Sequence, residues 1–148
     1  MSRSLLLEGS RVQLINQLVY LDDGLSSFMD EYFPIPNRQR SIVENTLTKY
    51  TSIIEGIVQN ITDRHLNTFV LIGSKVTIQY LDDGTTESFV IVFPSLADPD
   101  KNLISFLSPI GLHLLMAQKN EVYELEIPSG TVSVQVEDIQ FYNNGNPE

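Results

Sequence analysis

The sequence predicts an α+β protein: an amino-terminal antiparallel helical hairpin, packed as a coiled coil, and then a small antiparallel sheet with one short helix. Three observations support this prediction. Apolar residues recur at alternating spacings of four and three up to residue 61, which is the heptad pattern of packed helices. A proline-rich segment interrupts that pattern once, and alternating apolar and polar residues farther along indicate strands. We therefore divide the chain into a helical arm, residues 1–62, and a sheet domain, residues 63–148.

The composition is that of a globular protein with an acidic surface. Nine basic residues stand against nineteen acidic ones, and the net charge of −10 opposes direct binding to nucleic acid. The 148 residues include no cysteine, which excludes disulfides and cysteine-ligated zinc. The apolar run Leu5-Leu6-Leu7 is too short for a secretory signal or a membrane span, so we expect a cytoplasmic protein.

Two heptad seams predict the helices of the arm. The first seam consists of Leu14, Leu18, Leu21, Leu25, Phe28 and Tyr32, and the second of Val43, Leu47, Tyr50, Ile54, Ile57 and Ile61. Pro34 and Pro36 end the first helix, and Asn37 or Ser41 can cap the second.

Pairing the two seams about the prolines predicts the register of the hairpin. Tyr32 then lies opposite Val43, and Leu14 lies opposite Ile61, in arms of equal length. An arm of about 24 residues reaches roughly 36 Å. The alternative, in which both helices lie flat on a globular core, stays open because apolar side positions such as Ile15 and Val19 broaden the seam.

The pentapeptide YLDDG occurs twice, at residues 20–24 and 80–84. Adjacent aspartates could bind a hard cation such as Mg²⁺. The first copy continues the helical seam, whereas the second places Asp-Gly between two apolar strands, the usual signal of a β-hairpin. We therefore interpret the two copies as separate, solvated acidic pairs.

The sheet domain is predicted from its strand patterns. The strands are Val70 to Leu81, Ser88 to Phe93, Leu103 to Leu107, Val122 to Ile127 and Thr131 to Tyr142, with a polar loop at residues 94–102. Ser108 followed by Pro109 is the preferred start of a helix, which gives the short helix of this domain.

Three segments in order resemble one known family. They are VLIGSKVTIQYLDDG, KNLISFLSPIGLHLL and VYELEIPSGTVSVQVEDIQF, after a helical hairpin. This arrangement is similar to the Gre family of bacterial transcription elongation factors, with its Gly-x-x-Val-x-Val strand, ISxxSP segment and PxG turn. The resemblance covers roughly residues 70 to 142. The matching residues are Gly73, Val76, Asp98, Ile104, Ser105, Ser108, Pro109, Leu114, Leu115, Pro128 and Gly130.

The resemblance implies an FKBP-like carboxy-terminal domain that docks on the rim of the secondary channel of RNA polymerase, while the hairpin reaches toward the active site. It implies no cofactor bound by the protein alone, a Mg²⁺ shared with the polymerase through two tip carboxylates, and no enzymatic activity beyond stimulating RNA cleavage by the polymerase. We expect a monomer. The candidate docking residues are Ser105, Phe106, Leu107, Ser108, Pro109 and Ile110, of which the three apolar non-proline residues could instead belong to the core.

The hairpin tip departs from the family pattern. The Asp-Leu-x-Glu-Asn signature is absent, and the acidic pair nearest the prolines is Asp30 and Glu31. Carboxylates in the last turn of a helix cost about 0.3–1 kcal/mol each, which can mark function. Alternatively, Arg38 and Arg40 across the turn neutralise them, and the protein is then a regulator that binds polymerase without stimulating cleavage.

The sequence leaves two other function classes to compare with this one. A prolyl isomerase is disfavoured because the FKBP pocket has tryptophan in its floor and the chain has none. A coiled-coil interaction module unrelated to polymerase would dimerise through its arm. His65 and His113 have no nearby set of metal ligands in the sequence, and we expect them to be structural or surface residues.

Overall fold

A computed structural model describes residues 3–142, with side chains from residue 7 onward, and confirms the α+β class. The chain forms two compact units, and the division lies between Ile61 and Thr62. No helix in the described range is long and apolar enough to cross a membrane.

The arm consists of helix α1, Arg3–Tyr32, and helix α2, Arg38–Gln59. Asn37 is the N-cap of α2, and its Oδ1 accepts a hydrogen bond of 3.0 Å from the backbone N–H of Arg40. The helical hairpin is therefore confirmed, with Asn37 rather than Ser41 as the cap. The two helices differ in length, 30 residues against 22, because α1 begins well before the first seam residue.

The seam of α2 is confirmed except at Ile61, which lies beyond the end of the helix and is half-buried, and the seam of α1 is altered. Val43, Leu47, Tyr50, Ile54 and Ile57 are all buried. In α1, Leu14, Leu21 and Phe28 are buried, but Leu18 and Leu25 are only half-buried and Tyr32 is exposed. Gln17, which precedes Leu18, and Met29, which follows Phe28, are fully buried. A polar side chain thus occupies a place in the helix interface that the apolar pattern assigned to leucine.

A buried hydrogen bond between the two helices joins residues that the predicted register does not place opposite each other. The Tyr50 hydroxyl donates a hydrogen bond of 2.5 Å to Oε1 of Gln17, and both side chains have no exposed surface. In the predicted register Tyr50 would face Leu25, which lies about 12 Å farther along α1 at 1.5 Å per residue. The two polar side chains satisfy each other, since an unpaired buried amide or hydroxyl is costly, and apolar spacing alone does not reveal this contact.

The first YLDDG lies within α1, as predicted. Leu21 is buried, Asp22 and Asp23 are exposed, and the helix continues through Gly24. A side chain at Gly24 would have open space around it, so no contact requires glycine here.

The second unit is a five-stranded sheet with the order β3-β2-β1-β5-β4. The strands are β1, Ser74–Tyr80; β2, Thr86–Val92; β3, Leu103–Ser105; β4, Val122–Ile127; and β5, Gly130–Phe141. Helix α3, Asp63–Leu66, precedes the sheet and helix α4, Pro109–Leu114, follows β3. One face of the sheet carries the core, which includes Val76, Ile78, Phe89, Ile91, Leu125, Val134, Val136 and Ile139.

The sheet is mixed, which corrects the prediction of an antiparallel sheet. Strand β3 pairs with β2 in parallel, Val90 with Leu103 and Val92 with Ser105, while the other three pairings are antiparallel. The polar loop of residues 94–102 carries the chain back to the level of Val90 in β2 through two short 3₁₀ turns. A parallel pair needs such a return connection, and a hairpin turn cannot supply it.

The second YLDDG forms the β1–β2 turn, as predicted. Gly84 has a φ of 76°, and its N–H donates a hydrogen bond of 2.8 Å to the Tyr80 carbonyl. The Asp83 carboxylate accepts hydrogen bonds from the backbone N–H and hydroxyl of Thr85, at 3.0 and 2.7 Å, and these lower the pKa of Asp83. Asp83 therefore stabilises the turn, which agrees with the interpretation of the second YLDDG copy as a β-hairpin turn.

Candidate functional site

A two-serine turn follows β3 and determines where α4 begins. The Ser105 carbonyl accepts hydrogen bonds from the N–H and the hydroxyl of Ser108, at 3.0 and 2.7 Å. The Ser105 hydroxyl oxygen accepts a third, of 2.9 Å, from the N–H of Leu107. Both serines are therefore engaged within the chain and define the path of residues 105–108.

Helix α4 begins at Pro109 with Ser108 as its N-cap, as predicted. The Ser108 hydroxyl oxygen accepts a hydrogen bond of 3.0 Å from the N–H of Gly111. Gly111 is buried directly against the serine turn, and a Cβ there would lie 2.2 Å from the Ser105 carbonyl oxygen. Only glycine permits this close approach of helix and turn.

An open apolar cleft of about 350 Å³ lies beside the first turn of α4. Its lining residues are Ile104, Ser108, Pro109, Ile110, Ile127 and Pro128. They come from the end of the parallel edge strand, from the helix start and from the β4–β5 turn. None carries a charge, which distinguishes the cleft from the acidic remainder of the protein. We refer to these six residues as the apolar cleft.

Half of the six candidate docking residues line the apolar cleft, namely Ser108, Pro109 and Ile110. The prediction of Phe106 as a docking residue is wrong, because its ring is fully buried and packs edge-on against Phe93 with centroids 5.2 Å apart. Its side chain belongs to the core and does not contact a partner. Ser105 and Leu107 shape the turn without lining the cleft.

The apolar cleft also contains residues that sequence reasoning did not select as docking candidates. Ile104 precedes the serine turn, and Ile127 and Pro128 lie at the β4–β5 turn. The PxG turn belongs to the family pattern, but its position beside α4 follows from the contact between α4 and β4, which is the edge strand opposite β3. Tertiary packing therefore supplies half of the lining.

Arg40 connects the acidic side chains at the hairpin tip. Its Nη2 donates to Asp30 at 3.0 Å, its Nε to Glu44 at 3.0 Å, and its Nη1 to the Phe33 carbonyl at 2.7 Å. The hydrogen bonds to Glu44 and then to Asp30 raise the pKa of the Arg40 guanidinium. We call this set of three contacts the Arg40 clamp. Of the two arginines that could neutralise Asp30, Arg40 does so.

Glu31, the second candidate tip acid, lies beside tyrosine side chains. Burial, followed by a hydrogen bond to Glu31, raises the pKa of Tyr32, and burial followed by the charge of Glu31 raises the pKa of Tyr20. Asp30 and Glu31 therefore both interact with donors of their own chain. The residues with described positions contain no cluster of three or more His, Asp or Glu that could hold a metal ion within this chain.

A family model described as "Transcription elongation factor, GreA/GreB, C-term" matches residues 65–141. That range contains the whole sheet and all six residues of the apolar cleft.

Curated relatives carry the same description. The chain is 35% identical over 77 residues to transcription elongation factor GreA of Desulfovibrio desulfuricans, which is 52% of this chain and 48% of that protein. It is 32% identical over 104 residues to GreA of Pelagibacter ubique, covering 70% and 66%. The match thus spans about half the length of the first relative and somewhat less than two thirds of the second.

Solved structures of similar proteins give lower identities. A GreA/GreB elongation factor from Nitrosomonas europaea is 23% identical, with a TM-score of 0.46 over 56% of this chain and 66% of that one. GreA factor homolog 1 of Thermus thermophilus is 20% identical, with a TM-score of 0.45 over 90% of this chain and 92% of that one.

Proposed function

Because the chain belongs to the Gre family of transcription elongation factors, we propose that it binds RNA polymerase and docks there through the apolar cleft of its sheet domain. The observation that carries this proposal is the position of the cleft within the family-defining segment. The motif residues Ser108, Pro109 and Pro128 line it directly. These motif residues thus form part of the wall of the apolar cleft.

The chemistry of the apolar cleft favours a protein partner. An uncharged concave surface gains affinity by burying apolar side chains, at roughly 25 cal/mol per Å² of apolar area. The net charge of −10 opposes a phosphate backbone, so we propose no direct nucleic acid contact. The proposed partner surface is the rim of the polymerase secondary channel, reached by a monomer in the cytoplasm, as the resemblance implies.

Ile110→Asp is expected to weaken binding to core RNA polymerase by at least roughly tenfold, because it introduces a charge into a desolvated contact. Val122→Asp is the matched control, since Val122 is 53% exposed on β4 and lies outside the apolar cleft. Both affinities can be measured by titrating labelled protein with purified polymerase. Equal loss in the two variants, or in neither, would contradict docking through the cleft.

A specific observation favours a second, narrower function, that of a regulator that does not stimulate RNA cleavage. The Arg40 clamp holds Asp30 in an ion pair of 3.0 Å, and Glu31 lies beside Tyr32. Asp30 is paired with Arg40 through its Oδ1, and this ion pair offsets part of the negative charge that the carboxylate would offer to a polymerase-bound Mg²⁺. We propose that the protein occupies the polymerase without supplying these carboxylates, and derive no metal-dependent step.

Cleavage assays on stalled complexes with backtracked RNA test this narrower function. The wild type and the double variant Asp30→Ala/Glu31→Ala are expected to leave the cleavage rate at the level of polymerase alone. The reason is that the clamped carboxylate contributes nothing that the variant removes. Acceleration by the wild type that disappears in the double variant would show that the tip acids are active after all.

A further inference from the structure

An open pocket of about 510 Å³ lies on the outer face of the sheet, away from the core. Its lining includes Lys75 of β1, Val90 of β2 and Leu103 of β3, with Lys101 and Asn102 from the loop before β3. Lys75 and Val90 each stand between buried residues of their strands, whose side chains point to the core face. The lysine pocket, as we call it, shares no lining residue with the apolar cleft.

The floor of the lysine pocket consists of three paired strands. Lys75 lies opposite Val90 across β1 and β2, and Val90 lies opposite Leu103 across β2 and β3. Since paired strands are about 4.8 Å apart, the Cα atoms of Lys75 and Leu103 are separated by roughly 10 Å. Lys101 lies two residues before Leu103. The two lysines therefore border one pocket from its two sides.

The charge of the lysine pocket is opposite to that of the protein. The chain has four lysines and a net charge of −10, yet two of the four lysines line this pocket, and none of its described lining residues is acidic. Carboxylates on the neighbouring strands have other partners: Glu87 accepts a hydrogen bond of 2.7 Å from Tyr80, and Asp138 pairs with Lys119 at 3.6 Å. No ion pair among the described residues includes either pocket lysine. Their positive charge is thus available to an anion.

Tyr142 orients one of these charges and adds apolar surface. The Nζ of Lys75 lies 5.9 Å from the centroid of the Tyr142 ring, which is within the range of a cation–π contact. The N–H of Tyr142 donates a hydrogen bond of 2.7 Å to the Gly73 carbonyl and so anchors the residue. Val90 and Leu103, both half-buried, extend the apolar surface across the floor. The lysine pocket therefore presents two positive charges beside an apolar surface.

We propose that the lysine pocket binds a small molecule that carries a phosphate group on an organic body. A phosphate monoester bears a charge of about −1.5 to −2 at pH 7, which two ammonium groups balance, and lysine is a common phosphate ligand. The volume lies within the roughly 300–1,000 Å³ that is typical of small-molecule sites. A long nucleic acid is disfavoured because it would extend beyond the two lysines onto the acidic remainder of the protein. This binding goes beyond the proposed docking and does not depend on polymerase.

The test titrates the 148-residue chain with adenosine 5′-diphosphate and follows the backbone amide signals by NMR. The variant Lys75→Gln/Lys101→Gln is compared with Lys49→Gln/Lys119→Gln, which removes the other two lysines and therefore the same net charge. The first variant is expected to weaken binding of the nucleotide at least about tenfold, and the second less than about twofold. Melting followed by circular dichroism checks the folding of both. Lys101→Gln alone, at an exposed loop position, is expected to weaken binding at least about threefold and decides the case if the double variant does not fold.

Succinate and a hexaglutamate peptide are titrated for comparison, and both are expected to bind more weakly than the nucleotide. Succinate binding as tightly as the nucleotide would mean that the pocket accepts any dianion. Tighter binding of the peptide would assign the pocket to an acidic protein segment. Either result overturns the proposal, as does a nucleotide that does not bind or an equal loss in the two double variants. Since no measurement includes polymerase, such a failure leaves the proposed function standing.

Discussion

Gly111→Ala is expected to lower the free energy of unfolding of the sheet domain by about 3 kcal/mol, at the upper end of what overpacking usually costs. The added Cβ would lie 2.2 Å from the Ser105 carbonyl oxygen and 3.0 Å from the Cα of Phe106, and both are backbone atoms that cannot rotate away. Relief requires α4 to move off the serine turn, which also deforms the apolar cleft. Urea denaturation followed by circular dichroism measures the loss, and polymerase affinity is expected to fall with it.

Gly56→Ala provides the matched control for this substitution. Gly56 lies within α2, and a Cβ there would meet nothing within 4 Å. The same change is therefore expected to stabilise the arm by about 0.5–1 kcal/mol, because alanine favours the helix over the unfolded chain. A Gly111→Ala protein as stable as the wild type would show that the helix does not press on the turn as the structure indicates.

The second large effect concerns the buried polar pair of the arm. Tyr50→Phe and Gln17→Leu are each expected to cost about 1–3 kcal/mol, because each leaves a buried polar group without the hydrogen bond of 2.5 Å. The double variant Gln17→Leu/Tyr50→Phe is expected to cost less than the sum of the two, since it removes both partners together. Denaturation midpoints of the four proteins give the coupling directly. Strict additivity would mean that the two side chains do not stabilise each other as the hydrogen bond indicates.

The sequence was sufficient for most of the local structure. The heptad spacing of α2 and the Ser108-Pro109 start of α4 are predicted from the sequence, and Asn37 is one of its two candidates for the cap of α2, because each feature depends on residues a few positions apart. The sequence also predicts a helix for the first YLDDG copy and a turn for the second, since the flanking residues, rather than the pentapeptide, determine the structure.

The parts that were not predicted depend on contacts distant in sequence. Gln17 enters the helix interface because Tyr50 supplies its partner from 33 positions away, and an apolar template assigns that place to leucine. Strand β3 is parallel because the preceding loop returns along the sheet. Phe106 was placed on the surface although its ring reaches Phe93 in the core, since a short apolar segment does not reveal which side faces inward.

The apolar cleft combines both kinds of information. Ser108, Pro109 and Ile110 were singled out from the motif at the start of a helix, whereas Ile127 joins them only through the packing of α4 beside β4. Sequence reasoning thus located one wall of the candidate site, and the fold located the other. The chemical character of the cleft, apolar and uncharged, became evident only when both walls were known.

Site-specific photocrosslinking tests the central claim most directly. A photoreactive amino acid replaces Ile110 in one protein and Val122 in another, and each is irradiated with core RNA polymerase. Docking through the apolar cleft predicts a crosslink to a polymerase subunit from position 110 and none from position 122. A protein that binds polymerase but crosslinks only from position 122 would contradict the account.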